Sequence, residues 1–361
     1  MQEQNLSNLN PATDKRRLHT LDYLRGLAAF GIMVYHYFSW TFGGSHTDTL
    51  LGKFGAYGVS IFYILSGITL HHVYFRKLTV SAAGIIDFFK KRVLRIFPLL
   101  WFATLMSILI RREFPDLSTL FLNLSGLFGF IAWDKYYATG AWSIGNELVF
   151  YAFFPLMIWL SRKGAFAISL FFILCLLAAV YTDLFLLNKA LPLAGQWRTY
   201  INPLNQICFF ASGFIMGYLF HNRPVSERVL LFAGLAGVIL FSVYPVTGDP
   251  INLVSGITRV ALSLSCVLIC FTCYKTTVAL PGVLHVPLEW LGERSYSVYL
   301  VHPLVFTASA VVHGQLSRIG FSAPVYLNLL ISVSISLLLS HFIYERFERY
   351  FIKLGHRNPQ R

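Results

Sequence analysis

Several windows of 18 or more residues in this chain carry no Asp, Glu, Lys or Arg at all. At 1.5 Å per residue, about 20 apolar residues in a helix cover the roughly 30 Å hydrocarbon core of a bilayer. Hydrophobic residues make up 56% of the chain and charged residues 12%, so there is too little polar surface to cover a soluble fold of this size. The abundant aromatics, Phe 33, Tyr 19 and Trp 7, suit membrane interfaces and packed helix bundles. The fold class read from these features is an all-α integral membrane protein with the lipid bilayer as its solvent.

The net charge of +13 raises nucleic acid as a partner, but its distribution excludes it. Basic residues cluster between apolar runs, at Lys15-Arg16-Arg17, Arg76-Lys77, Lys90-Lys91-Arg92, Arg162-Lys163 and from Arg346 to Arg361. This is the pattern of cytoplasmic loops. All five cysteines lie inside apolar runs; Cys266, Cys270 and Cys273 share a helix face, but no His, Asp or Glu in that run completes a tetrahedral metal site. No disulfide and no metal are expected. The first run, 21–40, is too long for a signal-peptide core and reads as an uncleaved span.

Apolar runs fall near 21–40, 54–75, 94–110, 142–160, 165–187, 203–220, 228–246, 254–274, 288–312 and 324–344. A further segment, 117–133, is shorter and carries Ser118, Asn123, Ser125, Gly126 and Gly129. Alternation between the basic loops works if 117–133 stays on the outer side, re-entrant or interfacial. That predicts about ten crossing helices with both termini cytoplasmic, although Arg111 and Arg112 then face outward. The expected organisation is a cytoplasmic tail over 1–20, one membrane domain over 21–345 and a basic cytoplasmic tail over 346–361.

Ionisable residues inside apolar runs are costly and therefore informative. In the first span, Arg25 and His36 stand eleven steps apart and return to nearly the same helix face, with Asp22 close to that face. His36 lies about 16 Å beyond Arg25, near mid-membrane, where a neutral imidazole can take a hydroxyl proton. A core histidine bonded to a neighbouring helix is the plain alternative. In 142–151, Glu147 sits roughly two turns into its helix after Ser143, with Tyr151 one turn on; its carboxylate suits orienting an imidazole, binding a sugar hydroxyl or pairing with an arginine. Arg92 and Arg95 are helix-surface neighbours at a boundary, a spacing that suits phosphates. Ser295, Tyr299 and His302 follow one helix stripe in which Pro303 is expected to kink the helix, lining a cavity or bonding between helices.

Taken in order, these segments resemble acyltransferase family 3, the membrane-bound O-acyltransferases that modify bacterial surface glycans. The resemblance runs through Leu21-Asp22 to Arg25 and His36, Gly58-Val59 through Phe62 to Leu65-Ser66-Gly67, and Arg92, Arg95 and Pro98. It continues through Trp142-Ser143 with Glu147 and Tyr151, then Ser295-Tyr296, Tyr299 and His302. Tyr344-Glu345 resembles the closing element, where Arg346 stands in place of a frequent Pro. The resemblance implies an O-acetyltransferase of a bacterial inner membrane, with no permanently bound cofactor. Acyl-CoA, commonly acetyl-CoA, is the donor, and an exopolysaccharide, lipopolysaccharide, peptidoglycan or lipid-linked saccharide the acceptor. Its phosphates would meet Arg92, Arg95 and Arg25; His36 would act as general base, oriented by Glu147 or His302. Ser66 and Ser143 are candidate oxyanion donors, and transfer is expected to be direct.

No polar stretch is long enough for a soluble domain, so the membrane domain is expected to complete the reaction or to rely on a separate partner. The competing class is a secondary transporter or a flippase, which also uses intramembrane His, Glu and Arg. It commonly shows internal repeats, none of which is evident here. Oligomeric state is not readable from the residues.

Overall fold

The computed structural model describes residues 18–44, 46–277, 280–320 and 323–357. The basic cluster Lys15-Arg16-Arg17, nearly all of the expected tail 1–20 and the last four residues lie outside them.

The described residues form helices and connecting turns, without a strand. In chain order these are α1 (His19–Phe42), α2 (Leu50–Tyr74), α3 (Ala82–Arg111), α4 (Leu117–Ser125), α5 (Phe128–Ile131), α6 (Trp142–Lys163) and α7 (Ala165–Tyr181). There follow α8 (Trp197–Tyr200), α9 (Pro203–Phe220), α10 (Glu227–Val243), α11 (Gly256–Lys275), α12 (Gly282–Glu293), α13 (Ser295–Arg318), α14 (Val325–Ile343) and α15 (Arg349–His356). Wide π-helical turns extend α7 over Thr182–Leu186 and join α14 to α15 over Tyr344–Glu348. Polar side chains set many of the starts. Thr49 accepts from the Gly52 N–H, Ser81 from Gly84 and Ser226 from Val229, while Asn202 accepts from Leu204 with Pro203 in the first turn. Asp116 caps α4 through the Thr119 N–H and also takes the Ser118 and Thr119 hydroxyls, which holds its carboxyl well below the usual carboxylate range.

Eight of the described helices are long and apolar enough to cross a membrane: α2, α3, α6, α7, α9, α11, α13 and α14, with α7 counted through to Leu186 and α14 through to His356. They coincide with eight of the ten expected spans. The other two are helical but fall short, α1 because polar residues such as Asp22, Arg25 and His36 dilute its 24 residues, α10 because it has 17 residues. The segment 117–133 is broken at Gly126 into helices of nine and four residues. Nine residues reach only about 14 Å, too little to cross. Its apolar side chains Leu117, Phe121 and Ile131 are exposed.

Two expectations change. The run 288–312 is not one helix, because it breaks at Arg294 between α12 and α13. The Arg294 backbone N–H turns to the Gly292 carbonyl, and its buried guanidinium takes the Trp290 carbonyl at 3.0 Å together with Glu345 at 2.7 Å and His341 at 2.9 Å. The segment 346–361, read as a tail from its charge, is helical as far as His356 and packs back on α3, Gly355 lying against Lys91 and Leu94. Glu348 is buried there and accepts the Ser297 hydroxyl at 2.7 Å.

The helices run between two ends. One gathers the start of α1, the end of α2 and the ends of α6, α9 and α11, with Arg162, Lys163 and Lys275; the other gathers the end of α1 and the starts of α2, α6, α9 and α11. At the centre α2 and α9 cross with their backbones in contact at Gly67 and Gly213. A Cβ on either residue would strike the partner's main chain. This crossing and α6 bury the aromatic core, including Phe150, Phe154, Phe210 and Phe214.

Candidate active site

Helices α1, α2, α3, α6 and α13 enclose a cavity of about 140 Å³. Nine of the twelve polar residues singled out by sequence line it: Arg25, Ser66, Arg92, Arg95, Ser143, Glu147, Tyr151, Ser295 and Tyr299. They come from five separate segments of the sequence that the bundle brings together. Thr69 and Tyr63 also line it and were not singled out, and Tyr296, named only within the resemblance, joins them. Thr69 stands one turn after Leu65-Ser66 and reads as an ordinary helix residue until the bundle closes.

The basic end of the cavity holds three guanidinium groups. Arg25 pairs with Asp22 at 2.7 Å and also donates to the Thr69 hydroxyl. Arg92 donates to the Tyr74 hydroxyl at 3.2 Å and lies over the rings of Tyr74, Phe88 and Tyr151 at 5.5, 6.0 and 5.8 Å. Its Nε is buried without a hydrogen-bond partner. Arg95 is exposed to the cavity, with Glu147 and the buried Glu348 among its charged neighbours. Among the described residues Arg25 alone of the three makes a direct ion pair, so Arg92 and Arg95 line this end without a carboxylate in contact.

Further along, Glu147 accepts from Ser66 at 3.0 Å and from the Tyr151 hydroxyl. Ser143 donates to the Tyr299 hydroxyl at 2.9 Å, and Tyr299 donates in turn to the Gly140 carbonyl at 3.0 Å. Gly140 has φ 84°, a left-handed conformation that turns this carbonyl toward both. The Ser66 and Ser143 protons are thus already used by protein acceptors, so neither is a free donor for an oxyanion in this arrangement.

His36 and His302 do not line the cavity. They form a pair one helical turn beyond Tyr299, whose ring is 6.1 Å from that of His302. His36 Nδ1 is 2.9 Å from His302 Nε2, and His302 Nδ1 is 2.9 Å from the Val298 carbonyl. The carbonyl can only accept, so His302 carries its proton on Nδ1 and offers a lone pair at Nε2. His36 then donates from Nδ1, which leaves its Nε2 as the unprotonated nitrogen when both rings are neutral. Of the two residues considered for orienting His36, His302 is the one in contact, while Glu147 is occupied with Ser66 and Tyr151. Trp40, one turn after His36, stacks on it at 4.7 Å with ring planes 4° apart and is partly exposed. Its i, i+4 spacing from His36 was visible in the sequence, but nothing there marked it as more than an interfacial aromatic.

The acyltransferase domain model of family 3 matches residues 18–345, which includes every one of these residues. The chain belongs to acyltransferase family 3. Among curated proteins, the chain is 24% identical to YrhL of Bacillus subtilis, a protein provisionally named a peptidoglycan O-acetyltransferase, over 96% of the chain and 56% of the relative. It is 22% identical to the O-acetyltransferase OatA of Staphylococcus aureus over 98% of the chain and 60% of the relative. It is 23% identical to the peptidoglycan O-acetyltransferase OatA of Listeria monocytogenes over 82% of the chain and 51% of the relative. The chain thus spans a little over half the length of the curated relatives it matches. No solved structure matches it.

Away from the cavity, His19, His285 and Glu289 place ligand-type atoms within 4.8 Å of one another at the start of α1. They already bond among themselves, Glu289 to His19 at 2.9 Å and to His285 at 3.2 Å, and Tyr23 meets His285 at 2.5 Å. The cluster ties α12 to α1 and stands apart from the His36 pair.

Proposed function

We propose that this acyltransferase moves an acetyl or similar short acyl group from acyl-CoA to a hydroxyl of a cell-envelope glycan, and that the basic end of the bundle faces the cytoplasm. The observation that carries the reading is a cavity with three arginines at one end and, a turn beyond the other, a histidine pair whose neutral tautomers leave His36 Nε2 free to take a proton.

The arginines suit the phosphates of CoA. Arg95 is accessible and Arg92 is held in position by aromatic rings. The cavity runs from them past Glu147 toward Ser143 and Tyr299, a path for the thioester-bearing arm. At the far end His36 Nε2 takes the proton of the acceptor hydroxyl, whose oxygen attacks the thioester carbonyl. The new C–O bond forms, the C–S bond breaks, and the proton held by His36 returns to the departing thiolate to give free CoA. His302 keeps the imidazole in the tautomer that this step needs. A glycan is supported as acceptor by the relatives, two of which carry peptidoglycan in their names. Trp40 beside His36 offers an aromatic face of the kind on which a sugar ring stacks.

The test is free-thiol release from acetyl-CoA by the purified protein, with and without a glycan extract, for the wild type and for His36→Ala. Release that needs both the extract and His36 is expected, with a loss of about 100-fold or more on removing a general base. Undiminished release by a well-folded His36→Ala removes His36 from the mechanism. No release by the wild type with any acyl-CoA turns the reading toward a carrier.

A further inference from the structure

A second and larger cavity, about 610 Å³, lies between α7, α9 and α11 and shares no residue with the arginine-lined cavity. Its walls are almost wholly apolar, among them Leu176, Ile215, Leu264, Val267 and Phe271. Most residues of α7 are exposed, and Ile257, Val260 and Leu264 are exposed on a largely half-buried α11, which places this flank against the hydrocarbon of a membrane.

One end of this groove is charged. Arg259, in the first turn of α11, lines it and is only 8% exposed. Its Nη2 donates to the Asn205 carbonyl at 3.1 Å and to Asn205 Oδ1 at 2.7 Å, while its Nη1 is buried with no hydrogen-bond partner. Among the described residues no carboxylate forms an ion pair with it. Asp183, the acidic residue in the same wall, spends both oxygens on the Gly256 N–H at 3.0 and 2.8 Å, which starts α11. The exposed Lys189 brings its ammonium over Gly256 and adds a second positive charge at this end. A buried guanidinium with a free N–H edge calls for an anion, since an intramembrane cation without a partner is strongly disfavoured.

The dimensions identify the kind of anion. From Arg259 to Phe271 the groove follows twelve residues of α11, about 18 Å, a little more than one leaflet of a hydrocarbon core roughly 30 Å thick. We propose that this groove is a lipid site, in which the phosphate head of a membrane lipid rests on Arg259 and one hydrocarbon chain lies between α7, α9 and α11. Arg259 stands at the end of the bundle that holds the end of α1, so with the basic end cytoplasmic the lipid belongs to the outer leaflet. The proposal rests on membrane insertion and not on acyl transfer, so the two readings fail separately.

The experiment is a binding titration of delipidated full-length protein in detergent micelles, read by native mass spectrometry. The probes are phosphatidylglycerol, a diacylglycerol with the same chains, and glycerol 3-phosphate. One phosphatidylglycerol per protein is expected, with diacylglycerol and glycerol 3-phosphate each at least about tenfold weaker. Arg259→Gln and Leu264→Trp should each weaken phosphatidylglycerol about tenfold or more, the first by removing the charge and the second by filling the groove, while Arg259→Lys retains most of the affinity. Equal binding of phosphatidylglycerol and diacylglycerol by the wild type and Arg259→Gln overturns the proposal and leaves Arg259 as a strut for Asn205. Glycerol 3-phosphate binding as tightly as phosphatidylglycerol overturns the lipid assignment in favour of a small-anion site. Leu264 is 51% exposed, so its variant keeps the fold even if Arg259→Gln does not, and unchanged phosphatidylglycerol affinity there overturns the proposal by itself.

Discussion

At the scale of single residues, the site depends on where protons sit. The Val298 carbonyl fixes a proton on His302 Nδ1, and that proton decides which nitrogen of His36 is basic. Replacing His302 by Leu leaves the His36 Nδ1–H without an acceptor and lets the ring take the wrong tautomer. The expected result is a fall in kcat of about 100-fold. The apparent KM for acyl-CoA should hold, because the arginines lie at the other end of the cavity. His302→Gln, whose amide oxygen accepts the same hydrogen, should recover part of the loss. A steady-state comparison of the two variants checks this, and a fall in kcat that Gln does not relieve would reduce His302 to packing. Arg25 shows the same economy of partners, since Asp22 neutralises it one turn away and Thr69 fixes its direction.

At the scale of helices, close crossings hold the site together. The α2–α9 contact requires the absence of side chains at Gly67 and Gly213, and α2 carries Ser66 and Thr69 on its adjoining face. A methyl at Gly213 must push the Ile64 carbonyl away, an overpacking cost of about 1–3 kcal/mol. Gly213→Ala is therefore expected to lower the melting temperature in detergent and to reduce activity with it. Gly195→Ala, where a Cβ meets nothing within 4 Å, should change neither. Equal melting of both variants would mean that the crossing relaxes freely. The break between α12 and α13 is a second such device, because Arg294 trades a helical hydrogen bond for an ion pair to Glu345 and so ties the end of α14 to the start of α13.

For the whole molecule the decisive question is orientation. The basic residues Arg162, Lys163 and Lys275 lie at one end and the His36 pair toward the other. If the basic end is cytoplasmic, a cysteine at Lys135→Cys is expected to react with a membrane-impermeant thiol reagent applied to intact cells, and one at Lys163→Cys only after lysis. Both positions are exposed on the protein, and four of the five native cysteines are buried. The reverse labelling pattern would put the arginines outside and remove cytoplasmic acyl-CoA as the donor.

The sequence by itself determined the helical class, eight of the spans and the family, because apolar runs, charge clusters and i, i+4 spacing are local quantities that survive any packing. It also marked Arg25, Arg92, Arg95, Glu147 and Tyr299, since a polar residue in an apolar run stands out whatever surrounds it. The tertiary structure alone decided which of these meet. His36 and His302 are 266 positions apart, and no periodicity links them. Local charge marked 346–361 as a basic cytoplasmic tail but could not show that it is helical as far as His356, with Glu348 buried against Ser297. Arg259 escaped notice, being one charge near the start of an apolar run, where a snorkelling side chain would look the same. Its significance lies in Nη1 having no acceptor, and the absence of a partner is a property of the packed bundle that no one-dimensional pattern records.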